Sequence, residues 1–534
     1  MLYDRTARQL GAAAVAALLA AVAGPELALA ESQQHRFSSP QNAPDSAAAS
    51  GYAASSKWAP KSVSSTVQLG GSLTRSSATY SLERDDSKTN DVWAFGVQGT
   101  VGSWVEATAG KGADKRKLDV SIPAGRAQDM TLYTIDLSSE SAPSVPVTVS
   151  TVQSRQTVPH PAKLSQNVDA LFFLWTSDLL ASLAALPANQ RKQIREVKVR
   201  VKTPTPKLLN LATPEGFEAH HPAGSATLTF TSKPGVDFST LPPQIVRVHF
   251  QQPEAVASIR KLDRTIELSH WGNNLAIQDE MELYNAGPEL EGHFARIDYQ
   301  KAGMMRRQGI AAIPSLSLSL PGSASNPYYY DIVGNVSTSN FRAPAKAALP
   351  SQRSAQKPAV LELKPRYPLF GGWNYSFTIG YDLPLGEYVR TRKGEGRGQY
   401  IAAVPFLTPI KDVAVEHVRV EIRLPEGARN IKVLTPFPYS TLSYPAFVPR
   451  LLGKHETVQQ GGSVAWTYLD STGRPTVVIT KEDCTDMHGG DVLIEYHLPL
   501  FVEWFQKPVA CASALATLFL AIALAKRIKT AIPS

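Results

Sequence analysis

Apolar and polar residues alternate with period two at intervals along the chain. Val197, Val199 and Val201 alternate with Lys198, Arg200 and Lys202, and Val246, Val248 and Phe250 with Arg247 and His249. Leu316, Leu318 and Leu320 alternate with serines, and Val418, Val420, Ile422 and Leu424 with Arg419, Glu421 and Arg423. Val492, Ile494, Tyr496 and Leu498 close the series. Successive side chains of a strand face opposite sides, so each run buries one face and wets the other. Many such strands between Gly/Pro turns predict antiparallel sandwiches. Asp470-Ser471-Thr472-Gly473, between Thr467-Tyr468-Leu469 and Val477-Val478-Ile479, predicts a hairpin. Residues 171–186 are apolar but interrupted by Thr176, Ser177 and Asp178, which suits a strand plus a short helix. Ser65-Thr66-Val67-Gln68-Leu69 is echoed by Arg264-Thr265-Ile266-Glu267-Leu268, each opening a long β-rich segment. The echo suggests two related domains, 61–258 and 259–503.

Two uncharged runs break this pattern. Arg5 and Arg8 precede residues 10–23, Gly24-Pro25 interrupts the run, and Ala28-Leu29-Ala30 offers small residues for cleavage. This predicts a signal peptide over 1–30. A flexible lead-in is expected over 31–60, overlapping the Ser-, Ala- and Pro-rich stretch 37–65. At the other end, residues 509–525 carry no charge. At ~1.5 Å per residue they span roughly 25 Å, close to the ~27 Å hydrocarbon core of an endoplasmic reticulum bilayer. Trp504 suits the interface, and Lys526-Arg527-Ile528-Lys529 marks the cytoplasmic side. A buried core helix or a lipid-anchor signal fits those cations poorly. The expectation is a transmembrane helix with interfacial flank over 504–525, a basic cytoplasmic tail over 526–534, and the bulk of the chain outside the cytosol. The expected fold class is therefore mainly β, with two tandem lumenal β-sandwich-like domains and one C-terminal transmembrane helix.

Composition narrows the function. Of 534 residues, 43% are hydrophobic and 19% charged, which excludes a wholly disordered chain, and two cysteines exclude a disulfide-stapled scaffold. The net charge of +8 is too dilute for a nucleic-acid footprint. Cys511 falls inside the expected span, leaving Cys484 as a buried, inert thiol or a link to another chain. No His-Glu-x-x-His, Gly-x-Ser-x-Gly, Walker loop or dinucleotide fingerprint occurs, and His220-His221 lacks a matching ligand cluster. Gly394, Gly396 and Gly398 have no strand-then-helix context and suit a hairpin loop, and residues 343–359 suit another exposed loop. The acids Asp279-Glu280-Glu282 and Glu482-Asp483 read as solvated. No catalytic, cofactor or metal residue is assigned, and the chain is not expected to be an enzyme on its own. Two sequons, Asn335-Val336-Ser337 and Asn374-Tyr375-Ser376, are candidate glycosylation sites. Asn335, in a Gly/Ser/Thr-rich segment, is the better candidate, since Asn374 adjoins a Trp373 expected to seek burial. Between them, Pro368 and Gly371-Gly372 imply a sharp turn that buries Phe370 and Trp373; the rival reading is a peptide- or glycan-contacting patch.

Several motifs carry a resemblance. They are Ser269-His270-Trp271-Gly272-Asn273, His293-Phe294-Ala295-Arg296-Ile297-Asp298-Tyr299-Gln300, Gly334-Asn335-Val336-Ser337-Thr338-Ser339 and Arg366-Tyr367-Pro368-Leu369-Phe370-Gly371-Gly372-Trp373. Gly380-Tyr381-Asp382-Leu383-Pro384, Leu424-Pro425-Glu426-Gly427-Ala428, Thr467-Tyr468-Leu469-Asp470 and Gly473-Arg474-Pro475 follow in order. Across roughly 262–500 the chain resembles the ribophorin I family, non-catalytic subunits of the oligosaccharyltransferase complex. The resemblance implies a scaffold or substrate-handling role in a complex that moves a preassembled oligosaccharide from dolichyl diphosphate to Asn of Asn-x-Ser/Thr in nascent chains. It also implies a single-pass type I protein of the endoplasmic reticulum membrane, partnered by a multispanning catalytic subunit, other subunits and nascent polypeptide, with no cofactor of its own. Animal members carry a long cytoplasmic region after the span, whereas this sequence stops nine residues beyond Ala525, so their ribosome contact is not carried over. Residues 61–252 resemble the family only by position and β character. The alternatives are a free-standing type I glycan- or peptide-binding receptor or chaperone, with Trp271, Trp373 and Tyr328 to Tyr330 as stacking residues, and a membrane-tethered hydrolase.

Overall fold

In the computed structural model the described residues are 56–527, except 86–87, 99–103, 111–114, 122–125, 128–129, 141, 184–185, 306–309, 345–356, 393–397, 445–463, 468–469 and 471. The expected signal peptide, most of the lead-in, most of the 343–359 loop, Gly394, Gly396 and the tail beyond Arg527 lie outside them.

Every alternating run forms a strand: Glu196–Lys202, Ile245–Gln252, Leu316–Leu320, Ala414–Arg423 and Asp491–His497. Their apolar members are buried because a strand with one wet face has no other way to shelter them. The chain is mainly β, as its pattern predicts. Leu171–Asp178 is a strand followed by a short 3-10 turn at Ala181–Leu183, also as expected. The first strand, Trp58–Gln68, begins inside the expected lead-in, because Trp58 is wholly buried and pulls the preceding backbone into the sheet.

The five-residue echo is a topological one. In one sheet, Trp58–Gln68 pairs antiparallel with Leu73–Arg84 and parallel with Glu196–Lys202. In another, Ala257–Ser269 pairs antiparallel with Asn274–Asn285 and parallel with Ala414–Arg423. Both motifs carry a register shift at the same spacing ahead of the echo, at Pro60/Ser62 and at Ile259/Lys261. Outward, each extends by antiparallel strands, Thr227–Ser232 and Ser144–Ser154 in the first, Arg474–Cys484 and Asn374–Pro384 in the second.

The two copies are filled differently. Ser65 faces Ala78 in the first, where Arg264 faces Asp279 in the second. Arg264 Nη1 donates to both Asp279 oxygens at 2.9 and 2.8 Å, Nη2 donates to Tyr381 Oη at 3.2 Å, and both charged side chains are fully buried. Asp279 is therefore not the solvated acid expected from its neighbours; Glu280 is exposed and Glu282 binds Arg260 at 2.9 Å. In the first copy small side chains leave a cavity of about 120 Å³, lined by Ser65, Ser76, Ala78, Thr151 and Trp175 among others.

Two large hydrophobic cores result among the described residues, one drawn from residues 259–498 and one mainly from 58–256, beside a small cluster of Leu73, Val152 and Ala414. The second of these also takes Ala311, Ala312 and Phe370. Arg75 binds Asp412 at 2.7 Å and Asp486 at 2.6 Å, Arg155 binds Asp483, and Trp104 meets the His488 ring edge-on at 5.2 Å.

Candidate functional site

A concentrated polar construction outside the sheets surrounds the start of the C-terminal helix, Leu500–Arg527. The preceding strand ends at His497, paired with Gln399 and Arg429, and the Leu498 N–H donates to the Gly398 carbonyl at 2.8 Å. Three loops that carried the family motifs, around 270–273, 424–428 and 466–474, close on the first two turns of the helix. A cavity of about 40 Å³ between them is lined by His270, Trp271, Glu426, Val502 and Gln506, among others.

Glu426, 7% exposed, accepts at Oε1 from the Thr472 N–H (2.6 Å), the Thr472 hydroxyl (3.0 Å) and Gln506 Nε2 (2.9 Å). Asp470 accepts at Oδ2 from the Thr467 N–H (2.9 Å) and hydroxyl (2.6 Å), binds Arg474 Nε at 3.2 Å, and lies 3.4 Å from Lys507 Nζ. Burial works to raise the Asp470 carboxyl, but the Thr467 bonds and the charges of Arg474 and Lys507 outweigh it and hold it below its ordinary value. A carboxylate with that many donors is an anchor, not a proton carrier. Gly427 sits at φ 77°, and a Cβ there would lie 2.5 Å from Val502 Cγ1, so only glycine lets the helix come this close. The expected hairpin over 467–479 is displaced: the pairing strand is Val464–Ala465, because Asp470 captures Thr467 in a local turn instead. Tyr468 and Leu469 lie outside the described residues.

A second construction joins the cores. Phe294, Phe370 and Trp373 stand with ring centroids 5.4 to 5.6 Å apart, and Tyr299 meets Phe370 at 5.8 Å. Phe370 is buried as expected and Trp373 half-buried. A Cβ on Gly371 would lie 1.8 Å from the Pro288 carbonyl oxygen, and Gly372 has φ 78°. Asn285, which sequence reasoning missed, organises this turn. Its Nδ2 donates to the Ala311 and Leu369 carbonyls at 2.8 and 2.9 Å, and its Oδ1 accepts from the Gly287 N–H at 2.9 Å. The Asn-Ala-Gly-Pro break after an alternating strand was the available signal.

Both sequon asparagines are exposed. Around Asn335, the Asp331 carboxylate accepts from the Val333 N–H at 2.9 Å and the Tyr375 hydroxyl at 3.2 Å and binds Arg366. Arg366 Nη2 donates to the Gly334 and Asn335 carbonyls at 3.1 and 3.2 Å. The hydrogen bond from Arg366, foremost, holds the Asp331 carboxyl below its ordinary value. Asn374 stands at the start of Asn374–Pro384 with its side chain outward, although Trp373 turns inward beside it, because successive strand residues face opposite ways. Cys484 is wholly buried, and burial pushes its thiol up to about 12. Among the described residues no group of three or more His, Cys, Asp or Glu side chains is placed to hold a metal ion.

Fold and site together define a β-rich chain clamped to one helix that is long and apolar enough to cross a membrane over Trp504–Arg527. A family model described as Ribophorin I matches residues 58–526, and the chain belongs to that family. It is 28% identical over 482 residues to dolichyl-diphosphooligosaccharide–protein glycosyltransferase subunit 1 of Caenorhabditis elegans, covering 89% of this chain and 73% of that one. It is 29% identical over 423 residues to subunit 1A of Arabidopsis thaliana, covering 78% of this chain and 60% of the relative. Among solved structures, native yeast LTA4 hydrolase aligns at 10% identity and a TM-score of 0.25, over 39% of this chain and 31% of that one, a likeness too slight to bear on fold or function.

Proposed function

We propose that the chain is a non-catalytic subunit of an oligosaccharyltransferase complex, which transfers a preassembled oligosaccharide from dolichyl diphosphate to Asn-x-Ser/Thr acceptors. The names of its relatives support the complex. The observation that carries the scaffold role is the Glu426–Gln506 and Asp470–Lys507 clamp, which makes the β-rich body a fixed extension of the helix. A substrate-handling subunit needs that fixity, since a body swinging on a free stalk could not hold a constant position beside a catalytic partner.

The same reading gives a single-pass type I protein of the endoplasmic reticulum membrane, its two β-rich domains (61–258 and 259–503) in the lumen and its basic tail in the cytosol. Lys526 and Arg527 at the helix end support that orientation. Asn335 and Asn374 are then the glycan acceptors on this subunit, a role their exposure supports. The partners are the multispanning catalytic subunit, the other subunits and nascent polypeptide. Tagged chain purified in mild detergent should bring down a multi-subunit membrane assembly with transferase activity, and the isolated chain should have none. Robust activity from the isolated chain would end this reading.

One observation favours a free-standing type I receptor or chaperone instead. Tyr328 and Tyr330 form an exposed stacked pair, with ring centroids 6.1 Å apart, of the kind that binds sugars. Native mass measurement separates the two, since a receptor would run as a solitary chain.

A further inference from the structure

The chain has eight tryptophans, and their exposure divides them. Trp58, Trp93 and Trp175 are buried, and Trp104 and Trp373 are half-buried. Trp271 (56% exposed), Trp466 (56%) and Trp504 (64%) are not, and all three lie on or near the first turns of the C-terminal helix and the loops against it. Trp271 tips the turn between Ala257–Ser269 and Asn274–Asn285 and lines the cavity with Val502 and Gln506, the residues that flank Trp504 on the helix. At ~1.5 Å per residue that stretch of helix rises about 6 Å, within the thickness of one ~5–8 Å headgroup layer. Trp466 lies beside the clamp, its Cε2 3.1 Å from the place of a Cβ on Gly473, next to Arg474, which shares Asp470 with Lys507. An indole has an apolar body and one N–H, and the bilayer interface satisfies both where water satisfies only one.

We propose that Trp271 and Trp466 sit in the headgroup layer of the bilayer that the helix crosses, making this end of the second sheet a phospholipid-docking surface. The proposal rests on the reading of Trp504–Arg527 as a transmembrane span. Proximity supplies the reason for one occupant: Trp271 shares a cavity with Val502 and Gln506, and Trp466 packs on the loop whose Asp470 binds Lys507, so a bilayer that takes Trp504 into its interface lies against both indoles. The opposite end is the internal control. Ile332 is 92% exposed at the tip of a hairpin that points away from the helix.

The test uses the full chain in phosphatidylcholine nanodiscs, with Cys511→Ser, the wholly buried Cys484 left in place, and a nitroxide on one introduced cysteine replacing Trp271, Trp466, Ile332 or Leu518. Collision with oxygen, which partitions into lipid, is compared with collision with a water-soluble nickel chelate. The ratio should favour oxygen several-fold more at 271 and 466 than at 332, with 518 highest. Labels at 271 and 466 that match 332, with 518 still in lipid, would overturn the docking surface and leave the span intact. A nickel-accessible 518 would overturn the span and the docking surface with it. As a second measurement on well-folded protein, Trp504→Phe removes the helix's indole, and quenching of the remaining fluorescence by phosphatidylcholine brominated near the headgroup should persist. Its disappearance would overturn the proposal.

Discussion

Gln506 donates its side-chain amide to Glu426 across 2.9 Å, joining the second turn of the helix to a loop eighty positions earlier. The next residue, Lys507, reaches Asp470 in a different loop. Neighbouring helix residues point about 100° apart, so two partners on two loops fix the helix's rotation as well as its depth. Glu426→Ala would strip the Thr472 N–H and Gln506 of their acceptor, at a cost of about 1–3 kcal/mol. Thermal unfolding should show that loss, and amide exchange over 500–507 should rise with it. Glu426→Gln, which keeps an acceptor oxygen, should recover part of both.

Gly371 and Gly372 are adjacent but should not tolerate alanine alike. Gly371→Ala drives a methyl into the Pro288 carbonyl and should cost about 3 kcal/mol or more. Gly372→Ala meets the strain of a positive φ and only the movable Glu289 Cγ at 3.3 Å, about 1 kcal/mol. Trp373→Ala falls between, at about 2–3 kcal/mol for a half-buried ring. Denaturant midpoints of the purified chain rank the three, and a mutant Trp373→Ala that unfolds normally would shift that residue from structure to binding.

Breaking the buried Arg264–Asp279 pair from one side should be costly. Asp279→Asn leaves a guanidinium uncompensated inside the sheet, and about 3–5 kcal/mol is expected. Replacing both, Arg264→Met with Asp279→Leu, should cost less than the single change, which a double-mutant cycle by chemical denaturation would reveal.

His488 gives the chain an acid-sensitive joint. Burial foremost, then the charge of Lys481, lowers its imidazole from 6.5 to about 3, and its Nδ1 accepts the Thr485 N–H at 3.0 Å. The folded state therefore excludes a proton that the unfolded chain binds below pH ~6.5, so stability is full above that value and falls as pH drops toward 3. Between pH 7 and 5 the loss should be about 1–2 kcal/mol from this residue. His488→Asn should flatten that part of the stability–pH curve, and an unchanged slope would show that other groups govern it.

The strands were legible because burial on one face leaves period two in the residues themselves, as at Val418, Val420 and Ile422. The turn at 371–372 was legible because a glycine pair three residues after a proline has few other uses. Asp279 was misread because its partner sits on the neighbouring strand, and strand pairing is not written in local spacing. The clamp was invisible for the same reason: Glu426, Asp470, Gln506 and Lys507 look like ordinary polar residues until three separate segments are brought together. The family motifs marked two of those segments without saying that they meet.

The parallel pairing at the centre of each sheet has a consequence for timing. Ala257–Ser269 cannot complete its sheet until Ala414–Arg423 has been synthesised, and Trp58–Gln68 waits for Glu196–Lys202. The earlier core waits longer still, because Phe370 is one of its members. At ~5–20 residues per second, the interval between Gln252 and Phe370 lasts on the order of ten seconds. For that time the first sheets exist with one wall missing, and the newborn chain is open to chaperones and prone to aggregation at the place where its two halves will later lock.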